Sequence, residues 1–132
     1  NSRDKAHKIC NALLEKNLVA CCNILPGVTS YFKWEDKITV SEEIIMLLKT
    51  KSEYYTQVEA LVKQMHNYDT PCIVALDIVG GENKFLKWID FSFCCPPFVC
   101  IICKCKGKLG VGSFINTRNL NDILISEKSF QN

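Results

Sequence analysis

Residues 18 to 30 read LVACCNILPGVTS, and this stretch decides the fold class. Its first part, Leu18 to Leu25, is almost continuously apolar, which is typical of a buried strand. Pro26-Gly27 is a turn signal. The β-branched and aromatic residues from Val28 to Trp34 indicate a second extended segment. We therefore predict a strand, a turn and a further strand here.

The segments on either side extend this pattern. Apolar residues repeat at helical spacing before it and predict a helix over Arg3–Lys16. After it, Glu35-Asp36-Lys37 is a tight polar turn. Ile38–Val40 and Glu43–Thr50 continue as strand. Together they predict a long β-hairpin that follows the first helix.

A second helix–strand unit follows the hairpin. Ser52 is a predicted helix cap, and an apolar stripe continues to Met65. Residues 66–71 form a loop, Cys72–Val79 a strand, and residues 85–89 a short amphipathic helix.

The order of these elements is that of an α+β ferredoxin-like split βαβ sandwich, β-α-β-β-α-β, with an antiparallel sheet that lacks its first strand. The vacant position is central, so its loss would expose backbone groups on both neighbouring strands. Apolar residues 98–103 are a candidate to fill it.

Composition narrows the function classes. The 132 residues carry 16 basic and 14 acidic side chains, and this near-balance argues against nucleic acid as a partner. No apolar run is long enough for a membrane span. The chain has nine cysteines, an odd number, and no secretory signal is recognised. Both observations favour a reducing location, which we predict to be cytoplasmic, with an organelle as the alternative.

Residues 91–132 differ in character from residues 1–90. Phe91 to Cys105 is apolar and rich in cysteine, with C-x-x-C and C-x-C spacings that can capture Cu(I) or Zn²⁺, and the remainder is polar. We predict one domain over residues 1–90 and a non-native or disordered tail over residues 91–132.

Five motifs occur in series: LVACCNILPGVTS at 18–30, WEDKI at 34–38, KT at 49–50, HNYDTP at 66–71 and LKWI at 86–89. In this order and spacing they resemble the CutA family of divalent-cation tolerance proteins. The resemblance implies a homotrimer in which edge strands of the long hairpins pair between subunits. It also implies tolerance of copper and other divalent ions, without an established enzymatic activity.

Two residues are predicted metal ligands, His66 and Cys21. A neutral imidazole at position 66 can bind Cu²⁺ or Zn²⁺. The alternative for His66 is an interaction with the last carbonyls of the preceding helix. Cys21 and Cys22 are neighbours on a strand and so point to opposite faces, which prevents joint chelation of one ion. Core packing is the alternative role for both cysteines.

A second constellation is predicted to form an interface or a cleft between subunits. Its members are Tyr31, Trp34, Glu35, Lys49 and Tyr68. Aromatic walls with a few charged groups suit a small ligand or anion. Alternatively, the aromatic residues are interface anchors, where such side chains are enriched, and Lys49 forms a structural ion pair with Glu35 or Glu43.

We predict no enzymatic activity. Only His7 and His66 could serve as an imidazole base, and no glycine-rich phosphate loop occurs. The leading function is therefore copper binding and divalent-metal tolerance. The alternative is a trimeric regulatory or scaffolding module that binds a small anion or a partner protein. The resemblance implies such a role as well, because animal CutA members are linked to acetylcholinesterase processing and anchoring.

Overall fold

The structure, a computed structural model, describes residues 3–66, 71–93 and 120–127. Three α-helices and four strands occur in these ranges. In chain order they are α1 (Arg3–Glu15), β1 (Cys21–Trp34), β2 (Lys37–Lys51), α2 (Tyr55–Met65), β3 (Cys72–Asp77), α3 (Asn83–Phe91) and β4 (Leu120–Glu127), with a short 3₁₀ turn at Ser52–Tyr54 before α2. The predicted sequence of helices and strands up to residue 91 is thus present.

The four strands form one antiparallel sheet in the order β1-β2-β4-β3. This order confirms the predicted α+β fold class. The central position next to β2 and β3 belongs to the first strand in the split βαβ plan, and here β4 takes it. The first of the described elements is α1, which begins at Arg3.

β4 satisfies the backbone groups of both of its neighbours. Leu120–Glu127 pairs with Ile44–Lys51 of β2, and Cys72–Asp77 of β3 pairs with its other edge. Residues 98–103, the predicted candidate for this position, lie outside the described residues, and the position is held by residues 120–127. The domain boundary at residue 90 stays a prediction, although these eight residues lie within the sheet.

The predicted turn at Pro26-Gly27 is wrong, because β1 runs through it. The register with β2 shifts between Leu25 and Val28, which marks a β-bulge. β1 is an edge strand, where a proline that lacks an N–H is tolerated. Gly27 adopts a φ of +71°, a value that favours glycine, so the two residues bend the strand instead of ending it.

The hairpin turn was predicted correctly. Glu35 and Asp36 have φ values of 47° and 61°, as a two-residue type I′ turn requires. β4 pairs with β2 only from Ile44 onwards. Residues 28–43, which we call the hairpin arm, therefore project beyond the four-stranded part of the sheet as a two-stranded ribbon.

α1 and α2 pack on one face of the sheet and enclose the core. The fully or almost fully buried apolar residues of this layer are Ala6, Ile9, Cys10, Leu13, Leu18, Val19, Met46, Leu48, Val58, Val62, Ile123 and Ile125. Ile123 and Ile125 belong to β4, so the C-terminal strand contributes to the core as well as to the hydrogen-bond ladder. A smaller cluster around Leu86 and Ile89 anchors α3.

Replacing Ile123 with alanine should lower the free energy of unfolding by about 2–5 kcal/mol, because a fully buried side chain leaves a cavity. Urea denaturation of the full chain measures this. Val79→Ala is the matched control, since Val79 is 94% exposed and should change stability by less than about 0.5 kcal/mol. If both Ile123→Ala and Ile125→Ala lowered the free energy of unfolding by less than about 0.5 kcal/mol, β4 would not complete the core.

Candidate functional site

His66 lies directly after α2 in extended conformation and is 9% exposed. Burial, with a smaller effect from the positive charge of Lys5, lowers the pKa of this imidazole. The neutral imidazole that can bind a metal is therefore favoured at neutral pH. The prediction that His66 is a ligand remains a prediction, now with a favourable protonation state.

Cys21 and Cys22 point to opposite faces of the sheet, as predicted. Cys22 is partly buried and packs against the helix-side core. Cys21 is therefore on the face turned away from α1 and α2, whereas His66 follows α2 in the helix layer. The sheet separates the two predicted ligands within one chain.

The structure divides the predicted cleft residues into two groups. Tyr31 and Trp34 lie on the hairpin arm and are 73% and 53% exposed, and Glu35 lies in its turn. Lys49 pairs with Cys21 at the other end of the hairpin. At the usual rise of a strand, this end lies roughly 40 Å from Trp34 and Glu35. Tyr68 lies outside the described residues. Within one chain, Lys49 is not brought to the arm residues.

Lys49 has a different partner from the two that were predicted. Its Nζ donates a hydrogen bond to Oδ1 of Asn23 on the neighbouring strand. Glu35 is too far along the hairpin to reach it. Glu43 lies at the base of the arm, is 2% exposed, and accepts a hydrogen bond from Ser41 Oγ at 3.2 Å. The predicted intrachain ion pair of Lys49 with either glutamate is therefore wrong.

Three sulfur atoms meet between α1 and the sheet. Cys10 Sγ donates to Met46 Sδ at 3.8 Å. Cys22 lies close enough to Cys10 for a side-chain hydrogen bond to raise the pKa of its thiol. We call Cys10, Cys22 and Met46 the sulfur cluster. The sequence pattern places Cys10 and Cys22 on core-facing positions, but no spacing signal relates a helix cysteine to a methionine on a distant strand.

The protonation of this cluster follows from its surroundings. The hydrogen bond to Cys10 and burial both raise the pKa of the Cys22 thiol, and the positive charge of Lys49 opposes them. The Cys22 thiol therefore remains protonated at neutral pH when nothing else binds it. In the described residues, no three His, Cys, Asp or Glu side chains lie together as a metal site built from these donors would require.

Comparison with known families gives one match that covers most of the chain. The family described as CutA1 divalent ion tolerance protein matches residues 1–92. In the part of the chain that the structure describes, none of the helices is long and apolar enough to cross a membrane.

Individual relatives agree with this family match. The divalent-cation tolerance protein CutA of Archaeoglobus fulgidus is 48% identical over 89 residues, which are 67% of this chain and 86% of that protein. The chloroplastic protein CutA of Arabidopsis thaliana is 34% identical over 91 residues, and the chain spans about half of its length, 50%. The solved structure of the periplasmic A. fulgidus protein superposes on this chain with a TM-score of 0.65 at 47% identity. The superposed part is 70% of this chain and 89% of the A. fulgidus chain.

Stability of the metal-free protein should decrease as the pH is lowered from 7 through about 6.5, the ordinary pKa of histidine. His66 has a lowered pKa in the folded state, so the unfolded state binds more protons in this range and is favoured there. Urea denaturation at several pH values, with a chelator present, measures the slope. His66→Gln should flatten it, and Val79→Ala, which changes an exposed and non-titrating side chain, should not; equal slopes for wild type and His66→Gln would contradict the burial effect.

Proposed function

The chain belongs to the CutA1 divalent ion tolerance protein family, and we propose that it acts as a homotrimer that binds copper and confers tolerance of divalent metal ions. The observation that carries this proposal is the family match across residues 1–92. This range includes the three α-helices and three of the four strands found in the described residues. The exposed apolar surfaces of the single chain support the oligomeric part of the proposal.

One of these surfaces is the sheet face turned away from α1 and α2. The strand register shows which residues lie side by side across this face. Leu47 of β2 and Val74 of β3 pair with the same residue of β4, and so do Lys49 and Leu76. Leu25, Val74 and Leu76 are each about two-fifths to one-half exposed. An apolar sheet face of this kind is stabilised when it packs against a second copy.

The hairpin arm offers a second surface. Tyr31, Trp34, Ile38 and Val40 are all exposed on a ribbon that extends past the rest of the sheet. Among the described strands β1 lies at the edge of the sheet, and edge strands are the usual place for pairing with another chain. Aromatic residues are enriched at the centres of interfaces, so we propose that Tyr31 and Trp34 anchor neighbouring subunits.

The proposed copper site needs donors beyond a single chain. The described residues of one chain do not gather three His, Cys, Asp or Glu donors, so His66 alone is an incomplete site. We propose that His66 binds copper together with donors supplied by a neighbouring subunit, and that Cys21 is a separate ligand on the opposite face of the sheet. In the trimer, Lys49 and Glu35 of different subunits, with Tyr68, would then line the clefts.

We infer a binding role without catalysis, in keeping with the naming of the family for tolerance. We also propose a cytoplasmic location. The four cysteines in the described residues are thiols and not disulfides, which suits a reducing compartment. Relatives are named chloroplastic and periplasmic, so an organelle is the alternative.

Sedimentation equilibrium of the full chain should give three times the mass of one chain. Tyr31→Asp should shift this equilibrium towards the monomer, because a charge would be buried at the proposed anchor position. Val79→Asp is the matched control, since this exposed valine lies outside the hairpin arm. A monomeric wild type, or equal masses for Tyr31→Asp and Val79→Asp, would contradict the trimer interface.

His66→Ala should weaken Cu²⁺ binding by at least about 10-fold, because it removes the imidazole ligand. Calorimetric titration measures the affinity, and nitrogen hyperfine structure in the electron paramagnetic resonance spectrum reports imidazole coordination. His7→Ala is the control and should retain both signals. Unchanged binding and an unchanged spectrum in His66→Ala would overturn the proposed ligand role.

A further inference from the structure

We propose that the sulfur cluster, Cys10, Cys22 and Met46, binds one Cu(I) ion between α1 and the sheet. The inference deepens the proposed metal function and rests on it for its biological meaning. It concerns a different oxidation state and different residues from the His66 site, so each can be tested without the other.

The spacing of Cys10 and Met46 suits two ligands of one trigonal site. Metal–sulfur bonds of about 2.3 Å in a trigonal plane put ligand sulfurs about 4 Å apart. The Cys10 Sγ to Met46 Sδ distance is 3.8 Å, and the Cys10 and Cys22 thiols are close enough to be hydrogen bonded. Cys10 is therefore within reach of both of the other soft donors.

The register of the sheet explains why these atoms meet. Cys22 pairs with Leu48, so Met46 is the diagonal neighbour of Cys22 on the same face. α1 then brings Cys10 over that diagonal, within the core between helix and sheet. The ligands come from two strands and one helix that the core already holds in place, so little ordering would be needed on binding.

The donor chemistry selects Cu(I). Two thiols and one thioether are soft ligands, which favour Cu(I) over hard cations such as Mg²⁺ or Ca²⁺. A structural Zn²⁺ ion usually takes four donors from Cys, His and carboxylates. Among the described side chains no third His, Cys, Asp or Glu joins Cys10 and Cys22.

Binding is balanced in protons and charge. The ion arrives as Cu(I), the two thiols of Cys10 and Cys22 lose their protons to solvent, two copper–thiolate bonds form, and no electron is transferred. The product carries one net negative charge. Cys22 is only partly buried, which leaves a route for the ion.

The test uses the full chain with the five cysteines after residue 93 changed to serine, because those thiols would also bind Cu(I). Under anaerobic conditions the protein competes for Cu(I) with a coloured Cu(I) chelator, bathocuproine disulfonate. We expect one tightly held Cu(I) per chain, with ultraviolet thiolate-to-copper absorption. Thermal unfolding should shift to higher temperature when Cu(I) is added.

Three variants in this background locate the site. Cys10→Ala and Cys22→Ala should each weaken Cu(I) binding by more than about 100-fold. Loss of a residue that only hydrogen bonds to a metal ligand costs roughly 10- to 100-fold, and loss of a thiolate ligand itself should cost more. Met46→Leu keeps the volume and should cost roughly 10-fold. Cys72→Ala, on β3, is the control and should retain the affinity and the thermal shift.

The outcomes are distinct. Equal affinity in Cys10→Ala and Cys72→Ala would overturn the inference and leave the sulfur cluster with a packing role only. Circular dichroism of the metal-free variants checks that each still folds, and Met46→Leu serves if Cys10→Ala does not. His66→Ala should leave Cu(I) affinity unchanged, so a failure of the Cu²⁺ proposal and a failure of this one give different results.

Discussion

The central position of the sheet has to be occupied, because β2 and β3 both present backbone N–H and C=O groups to it. Unpaired groups of this kind cost roughly as much as lost hydrogen bonds, and here they would be exposed along two strands at once. β4 pairs with both neighbours and adds Ile123 and Ile125 to the core. The domain thus has the sheet order of a split βαβ fold with its central strand drawn from the C-terminal end of the sequence.

Completion of the sheet gives it two faces with different chemistry. The face under α1 and α2 is enclosed and holds the sulfur cluster among apolar side chains. The opposite face has exposed Leu25, Val74 and Leu76, and the hairpin arm continues past its edge. We therefore propose soft metal chemistry for the interior of one chain, and assembly for the apolar surfaces that are exposed in the described residues.

Local signals were sufficient where the chain itself decides its conformation. The helical period predicted α1 to within one residue at its end. The polar turn at Glu35 and Asp36 was correct, and Asp36 is of a residue type that enters the positive-φ region more readily than most. Pro26-Gly27 was misread as a turn. The same dipeptide forms a bulge when it lies on an edge strand, and whether a strand is at the edge is a property of the whole sheet.

The sequence by itself determined the two helix–strand units, the long hairpin, the family and the candidate donors, because periodicity and turn chemistry act between residues near in the chain. Only the tertiary structure decided that residues 120–127 lie between β2 and β3, that Lys49 bonds Asn23, and that Cys10 meets Met46. These contacts join distant segments. Their formation depends on strand register and helix placement, which minimise unpaired backbone groups and buried voids over the whole domain.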